Sequence, residues 1–159
     1  MPFITGQATT YQGLLDALTT ALAANGWAAN GICWSKNGCH VSLEFTDYRA
    51  YGWATQVSRP ILRVVAGNGV ASGALTDPAP QGHALGTQAS LENSGITFPA
   101  TYCIHINTAP DEVYFFVNYN LTFWQWLAFG QSPVAGLPGT GNWAGGTFGV
   151  QKSGFDLSD

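Results

Sequence analysis

Charge is the scarcest property of this sequence. Fourteen of its 159 residues are charged, five basic and nine acidic, which is 9% of the chain, against about 25% in an ordinary globular domain. Two lysines, Lys36 and Lys152, and a formal net charge of −4 cannot neutralise a run of phosphates. Nucleic acid and anionic membrane are therefore not expected as partners. Cysteine is also sparse. Cys33, Cys39 and Cys103 are too few, and odd in number, for a disulfide framework, so free thiols in a reducing compartment are expected. No apolar run approaches the roughly 18 residues of a membrane-spanning helix, and the opening MPFITGQATTYQG lacks the basic-then-apolar order of a secretory signal. Synthesis and retention in the cytoplasm of the producing cell is the expectation.

What replaces charge is glycine and aromatic surface. Hydrophobic residues make up 46% of the chain, with 20 Gly, 6 Trp, 6 Tyr and 9 Phe. Large aromatics favour strands and interfaces, and interfaces deplete Lys, Glu and Asp. The length fits a single domain, 1–159, with a full hydrophobic core.

One amphipathic helix is legible. Tyr11, Leu14, Leu15, Leu18 and Leu22 fall at helical spacing, Thr9 with Gln12 resembles a capping box, and Gly26 marks the end. Ile32 to Trp34, the turn Ser35-Lys36-Asn37-Gly38, and the alternation of Val41, Leu43 and Phe45 describe a β-hairpin. Ile61 to Ala66 predicts a strand, and Gly67-Asn68-Gly69 a turn. From Gly67 to Pro99 few large apolar residues occur, and 67–99 reads as an extended loop or arm outside the core. Tyr102, Ile104 and Ile106, the turn Thr108 to Asp111, and Val113 to Tyr119 form the strongest hairpin. Phe123 to Phe129 reads as a strand or a short helix, and 130–159 is a glycine-rich C-terminal segment. The fold class expected is α+β: antiparallel β-hairpins dominate, with the N-terminal helix packed on a sheet.

Candidate chemistry is thin. Cys33, Cys39, His40, Cys103 and His105 carry zinc-preferred groups, but five residues separate Cys33 from Cys39, and adjacent Cys39 and His40 would point to opposite faces of a strand. His40, His83 and His105 with Asp47, Asp77 and Asp111 supply the parts of a triad without a Gly-x-Ser-x-Gly frame. Asp111-Glu112 would be a carboxylate pair for glycoside hydrolysis only if it flanked a cleft, and turn acids are ordinarily solvated. Gly139 to Gly146 lacks the Gly-Lys-Ser/Thr ending of a phosphate loop. No catalytic residue, cofactor or metal ligand is assigned. Trp124, Trp126 and Trp143 are the candidate assembly anchors, with core packing as the alternative for each. Trp and Tyr beside Asn, Asp and Gln would also suit sugar stacking.

The run His105 to Tyr119, then Phe123-Trp124-Gln125-Trp126-Leu127-Ala128-Phe129-Gly130 and the Gly139 to Gly149 segment, resembles virion structural proteins of tailed bacteriophages and prophages. The N-terminal Tyr-x-x-Leu-Leu helix closing on Asn25-Gly26-Trp27 is similar to the opening of such proteins. The resemblance implies a component of a tail, neck, baseplate or capsid surface, assembled in the host cytoplasm into the virion, with no reaction and no cofactor. Its partners would be other virion proteins and further copies of itself, in a homo-oligomer. A carbohydrate-binding receptor module that meets a host-surface glycan, and a small hydrolase, are the alternatives.

Overall fold

The computed structural model describes residues 2–51, 56–86, 96–120, 123–132 and 141–151. The chain runs β1 (Phe3–Ala8), α1 (Tyr11–Ala24), β2 (Ala28–Asn30), β3 (Cys33–Lys36), β4 (Cys39–Tyr51), β5 (Gln56–Gly67), β6 (Gly69–Ala71) and β7 (Ala74–Thr76). It continues through β8 (Gln81–Gly86), β9 (Ala100–Thr108), β10 (Asp111–Asn120), β11 (Phe123–Gln131), β12 (Asn142–Gly146) and β13 (Phe148–Gln151). It is a single small β-rich domain of antiparallel sheets with one helix.

Two sheets carry the fold. A five-stranded sheet has the order β1-β9-β10-β11-β12, and a six-stranded sheet has the order β13-β8-β5-β4-β3-β2. Alternation along each strand sends one row of side chains inward. Val41, Leu43, Leu62, Val64 and Leu85 from the larger sheet meet Ile104, Ile106, Val113, Phe115, Val117, Leu127 and Phe129 from the smaller one in a single core. Helix α1 adds Leu14, Leu18, Ala21 and Leu22 to that core and touches β1 and β9 of one sheet and β4 and β5 of the other. Polar contacts also cross between the sheets. The buried Gln125 side chain accepts from the Gly86 backbone N–H, and Asn142 Nδ2 donates to the carbonyls of Gly38 and Gly67.

Local chemistry explains the element ends. Thr10 Oγ1 accepts from Gly13 N at 3.0 Å, so the helix cap lies one residue beyond the expected Thr9, and Gln12 donates to Asp16 instead. At the other end Trp27 N donates to Leu22 O and Gly26 N to Ala23 O, with Gly26 at φ 81°. This paired closure needs a left-handed residue, and glycine adopts it without a Cβ penalty. The β3–β4 turn places Asn37 and Gly38 at φ 49° and 87°, the conformation that a two-residue hairpin requires.

Two expectations are corrected. The described residues of 67–99 are not an arm outside the core: β6 and β7 form a two-stranded ribbon, and β8 lies between β5 and β13 with Leu85 fully buried, while 87–95 lie outside the described residues. Gln-Gly-His-Ala-Leu-Gly has little strand propensity of its own, but its Leu85 faces Leu62 across the ladder and pairing supplies what propensity lacks. The ribbon folds back on the six-stranded sheet, where the Cys33 thiol donates to Gly73 O at 3.3 Å. The second correction is at Asp111. It is buried, not a solvated turn residue, because Lys36 and Asn37 of the opposite sheet compensate it. Of the glycine-rich 130–159 segment, β12 and β13 are strands, while 133–140 and 152–159 lie outside the described residues.

Candidate functional site

The strand register assembles one continuous aromatic surface. Phe115 pairs with Leu127 and Ile104, and these side chains face the core, so the intervening residues face outward. Phe116 stands opposite both Cys103 and Trp126, Asn118 opposite Trp124, Tyr114 opposite His105 and Ala128, and Gly130 opposite Trp143. Phe3, opposite His105, extends the same face to the edge strand. Trp124, Trp126, Phe116 and Phe3 are 47%, 39%, 37% and 66% exposed. Those values separate them from the fully buried Phe115 and Phe129, which alternate with them along the same strands. Isolated exposed apolar residues need no explanation, but a contiguous set on one sheet face does.

Glycine shapes this face at Gly145. A Cβ there would stand 3.1 Å from Trp126 Cζ3, so the indole lies across the gap a side chain would fill. Trp143, half-buried, packs on Tyr114 with ring centroids 6.2 Å apart, and Tyr114 in turn lies 6.3 Å from the His105 ring. Trp124 and Trp126 thus project to solvent, whereas Trp143 is braced by a neighbour.

A polar chain borders the aromatics. His105 Nε2 lies 2.9 Å from Asn107 Oδ1, Asn107 Nδ2 donates to Glu112 Oε2 at 3.1 Å, and Tyr114 donates to the same oxygen at 3.0 Å. Burial, with the hydrogen bond and negative charge of Glu112, raises the Tyr114 hydroxyl above its ordinary range. Glu112 is the one Asp, Glu, Lys or Arg that the register places on the outer face of this sheet, among the described residues. The surface is suited to packing against flat apolar groups, with a small hydrogen-bonding rim.

The other sequence candidates disperse. Cys33, Cys39 and Cys103 are free. Cys33 and Cys39 are buried in the six-stranded sheet, while Cys103 lies on the outer face of the five-stranded one. Among the described residues no three His, Cys, Asp or Glu side chains gather as a metal group. His40 Nδ1 lies 2.8 Å from Ser35 Oγ, a cross-strand pair, while Asp111 is engaged by Lys36 and Asn37. Asp77 sits at φ 44° after β7, and the Asp47 side chain lies outside what is described. Asp111 and Glu112 turn to opposite sides of β10, one tied to the facing sheet and one on the outer face. The polar chain through Asn107 and Glu112 was not anticipated. Its signal was the i, i+2 spacing of His105 with Asn107 and of Glu112 with Tyr114 across a hairpin. No protein-family model, curated protein or solved structure matches this chain.

Proposed function

We propose that this chain is a non-enzymatic structural component of a bacteriophage particle, assembled in the host cytoplasm into the virion. It joins neighbouring particle proteins, further copies of itself included, through the outer face of the five-stranded sheet. The observation that carries the reading is the row of exposed aromatics, Phe3, Phe116, Trp124 and Trp126, on a face with one ionisable carboxylate. Interface cores are enriched in aromatics and depleted in charge, and truncating a central aromatic anchor typically costs about 2 kcal/mol or more. The resemblance of the His105 to Gly130 run to virion proteins supports the particle assignment, and the α+β layering expected from the sequence belongs to the same reading. Mass spectrometry of purified phage particles from producing cells is the test. The chain is expected there in stoichiometric amount, and Trp124→Ala/Trp126→Ala is expected to fold but be missing from particles. A chain absent from particles would overturn the assignment.

A second reading is a glycan-binding receptor module. It is supported by the His105–Asn107–Glu112–Tyr114 chain beside Trp143, since sugar sites pair a stacking ring with convergent polar groups. Specific binding to a glycan array, abolished by Glu112→Ala, would favour it over assembly.

A further inference from the structure

The five-stranded sheet ends in an edge with unusual chemistry for an edge. Among the described strands β1 pairs only with β9. Ile106 N donates to Pro2 O, which continues the register of Phe3 with His105 and Ile4 with Ile104. In an antiparallel ladder hydrogen-bonded residues alternate, so residues 2, 4, 6 and 8 bond to β9. Phe3, Thr5 and Gln7 therefore turn their N–H and C=O groups to the open side. Natural edges are normally blunted by charge, proline or a bulge. Phe3–Ala8 reads Phe-Ile-Thr-Gly-Gln-Ala and pairs with β9 in unbroken register.

Beside this edge, on the core side, lies a groove between β1 and α1 of about 330 Å³, bordered by Ile4 and Tyr102 and, on the helix, by Asp16, Ala17, Thr20, Ala21 and Ala24. Its helix wall combines small side chains with the Asp16 carboxylate. At Gly6 of β1 the Tyr102 hydroxyl lies where a Cβ would stand.

We propose that a second copy of this chain pairs with the first through β1, antiparallel about a two-fold axis at Thr5. The sequence is self-complementary in that register. Phe3 meets Gln7 of the second copy, Thr5 meets its own equivalent and Gln7 meets Phe3, so all the outward backbone groups of these three residues are satisfied reciprocally. On the core side Ile4 falls opposite Gly6, whose Cβ position is taken by the Tyr102 hydroxyl, so Ile4 meets that tyrosine rather than a second branched side chain. Two five-stranded sheets become one of ten strands, with both aromatic faces on the same side. A two-fold contact of this kind is isologous, and it closes the edge that would otherwise template aggregation. The proposal deepens the assembly reading and rests on it, since the paired sheet presents a doubled aromatic surface to the particle.

Sedimentation of the full chain over the micromolar range tests it, a range set by the small area that one six-residue strand pair covers. The parent chain is expected to dimerise. Thr5→Glu and Thr5→Lys alter an exposed side chain and set like charges against each other at the axis. Each alone should weaken dimerisation about tenfold or more, and an equimolar mixture should restore it as a heterodimer. A monomeric parent chain would overturn the proposal, as would a dimer indifferent to both variants or a mixture that fails to re-pair. A dimer that survives Thr5→Glu but is lost in Trp124→Ala/Trp126→Ala assigns self-association to the aromatic face instead. Because particle incorporation is measured separately, failure of the edge pairing leaves that test standing.

Discussion

Lys36 Nζ lies 2.8 Å from Asp111 Oδ1, an ion pair that joins the β3–β4 turn of one sheet to the β9–β10 turn of the other. Asn37 Nδ2 donates to the second carboxylate oxygen at 2.7 Å. In a chain with five basic residues, this pair is placed where both side chains are largely buried, at 15% and 6% exposure. Such a pair is costly to break from one side, because the remaining charge stays desolvated.

Lys36→Met should therefore destabilise the fold by about 3 kcal/mol, read as a shift in the urea midpoint. Lys36→Met/Asp111→Leu should recover much of that loss, since replacing both partners removes the stranded charge. Equal destabilisation in the single and double variants would reject this account.

Cys39 gives a pH prediction. Its thiol is fully buried, and burial, with the nearby Asp111 charge, pushes its pKa from 9.0 up to about 12. Between these values the unfolded chain releases the thiol proton while the folded chain keeps it, so stability falls as pH rises through that window. Cys39→Ala should flatten this alkaline decline in denaturant titrations carried from below pH 9.0 upward into that window. An unchanged slope would mean that other groups govern it.

Strand β8 and the ribbon before it should respond differently to change. Leu85→Ala empties a fully buried position facing Leu62 and should cost about 3 kcal/mol. Replacing the β6–β7 ribbon (Gly69–Thr76) by a short glycine-serine link should leave the cooperative transition intact. It removes cover from Cys33 but no strand of either main sheet. Thermal denaturation distinguishes the two, and loss of the transition on ribbon removal would make the ribbon part of the folding unit.

What the sequence reveals and hides divides along physical lines. The helix and the β3–β4 and β9–β10 hairpins are legible because their apolar residues repeat at 3.6 or 2 and their turns carry Asn-Gly or Pro-Asp. Strands β1 and β8 are not, since Phe3-Ile4-Thr5-Gly6-Gln7 and Gln81-Gly82-His83-Ala84 bear no clean alternation and become strands by pairing with stronger neighbours. Asp111 reads as solvated because its partner lies 75 residues earlier, at Lys36. The aromatic candidates could be named, but their direction could not: in Phe123 to Phe129 the strand parity that exposes Trp124 and Trp126 and buries Leu127 and Phe129 depends on the register with β10. A one-residue slip would reverse it.

That parity gives the last prediction, which separates folding from assembly. Trp124 and Trp126 are 47% and 39% exposed, so truncating either forfeits little core packing, and each alanine variant should keep the parent's stability within about 1 kcal/mol. Trp143 is half-buried against Tyr114, and Trp143→Ala should cost more, because the Tyr114 ring loses its brace. Assembly should follow the opposite order, with Trp126→Ala the more damaging change, since Trp126 lies beside Phe116 at the middle of the exposed row. Association through so few charges should also tolerate salt, because ions screen charges over about 8 Å at physiological strength and this face offers them little to screen. Gly145→Ala supplies an independent check. Its new methyl, at 3.1 Å from the Trp126 ring, should tilt the indole, change its fluorescence and weaken assembly while leaving the unfolding midpoint nearly unchanged. Assembly that dissolves in moderate salt, or that survives Trp126→Ala and Gly145→Ala unaltered, would remove this face from the interface.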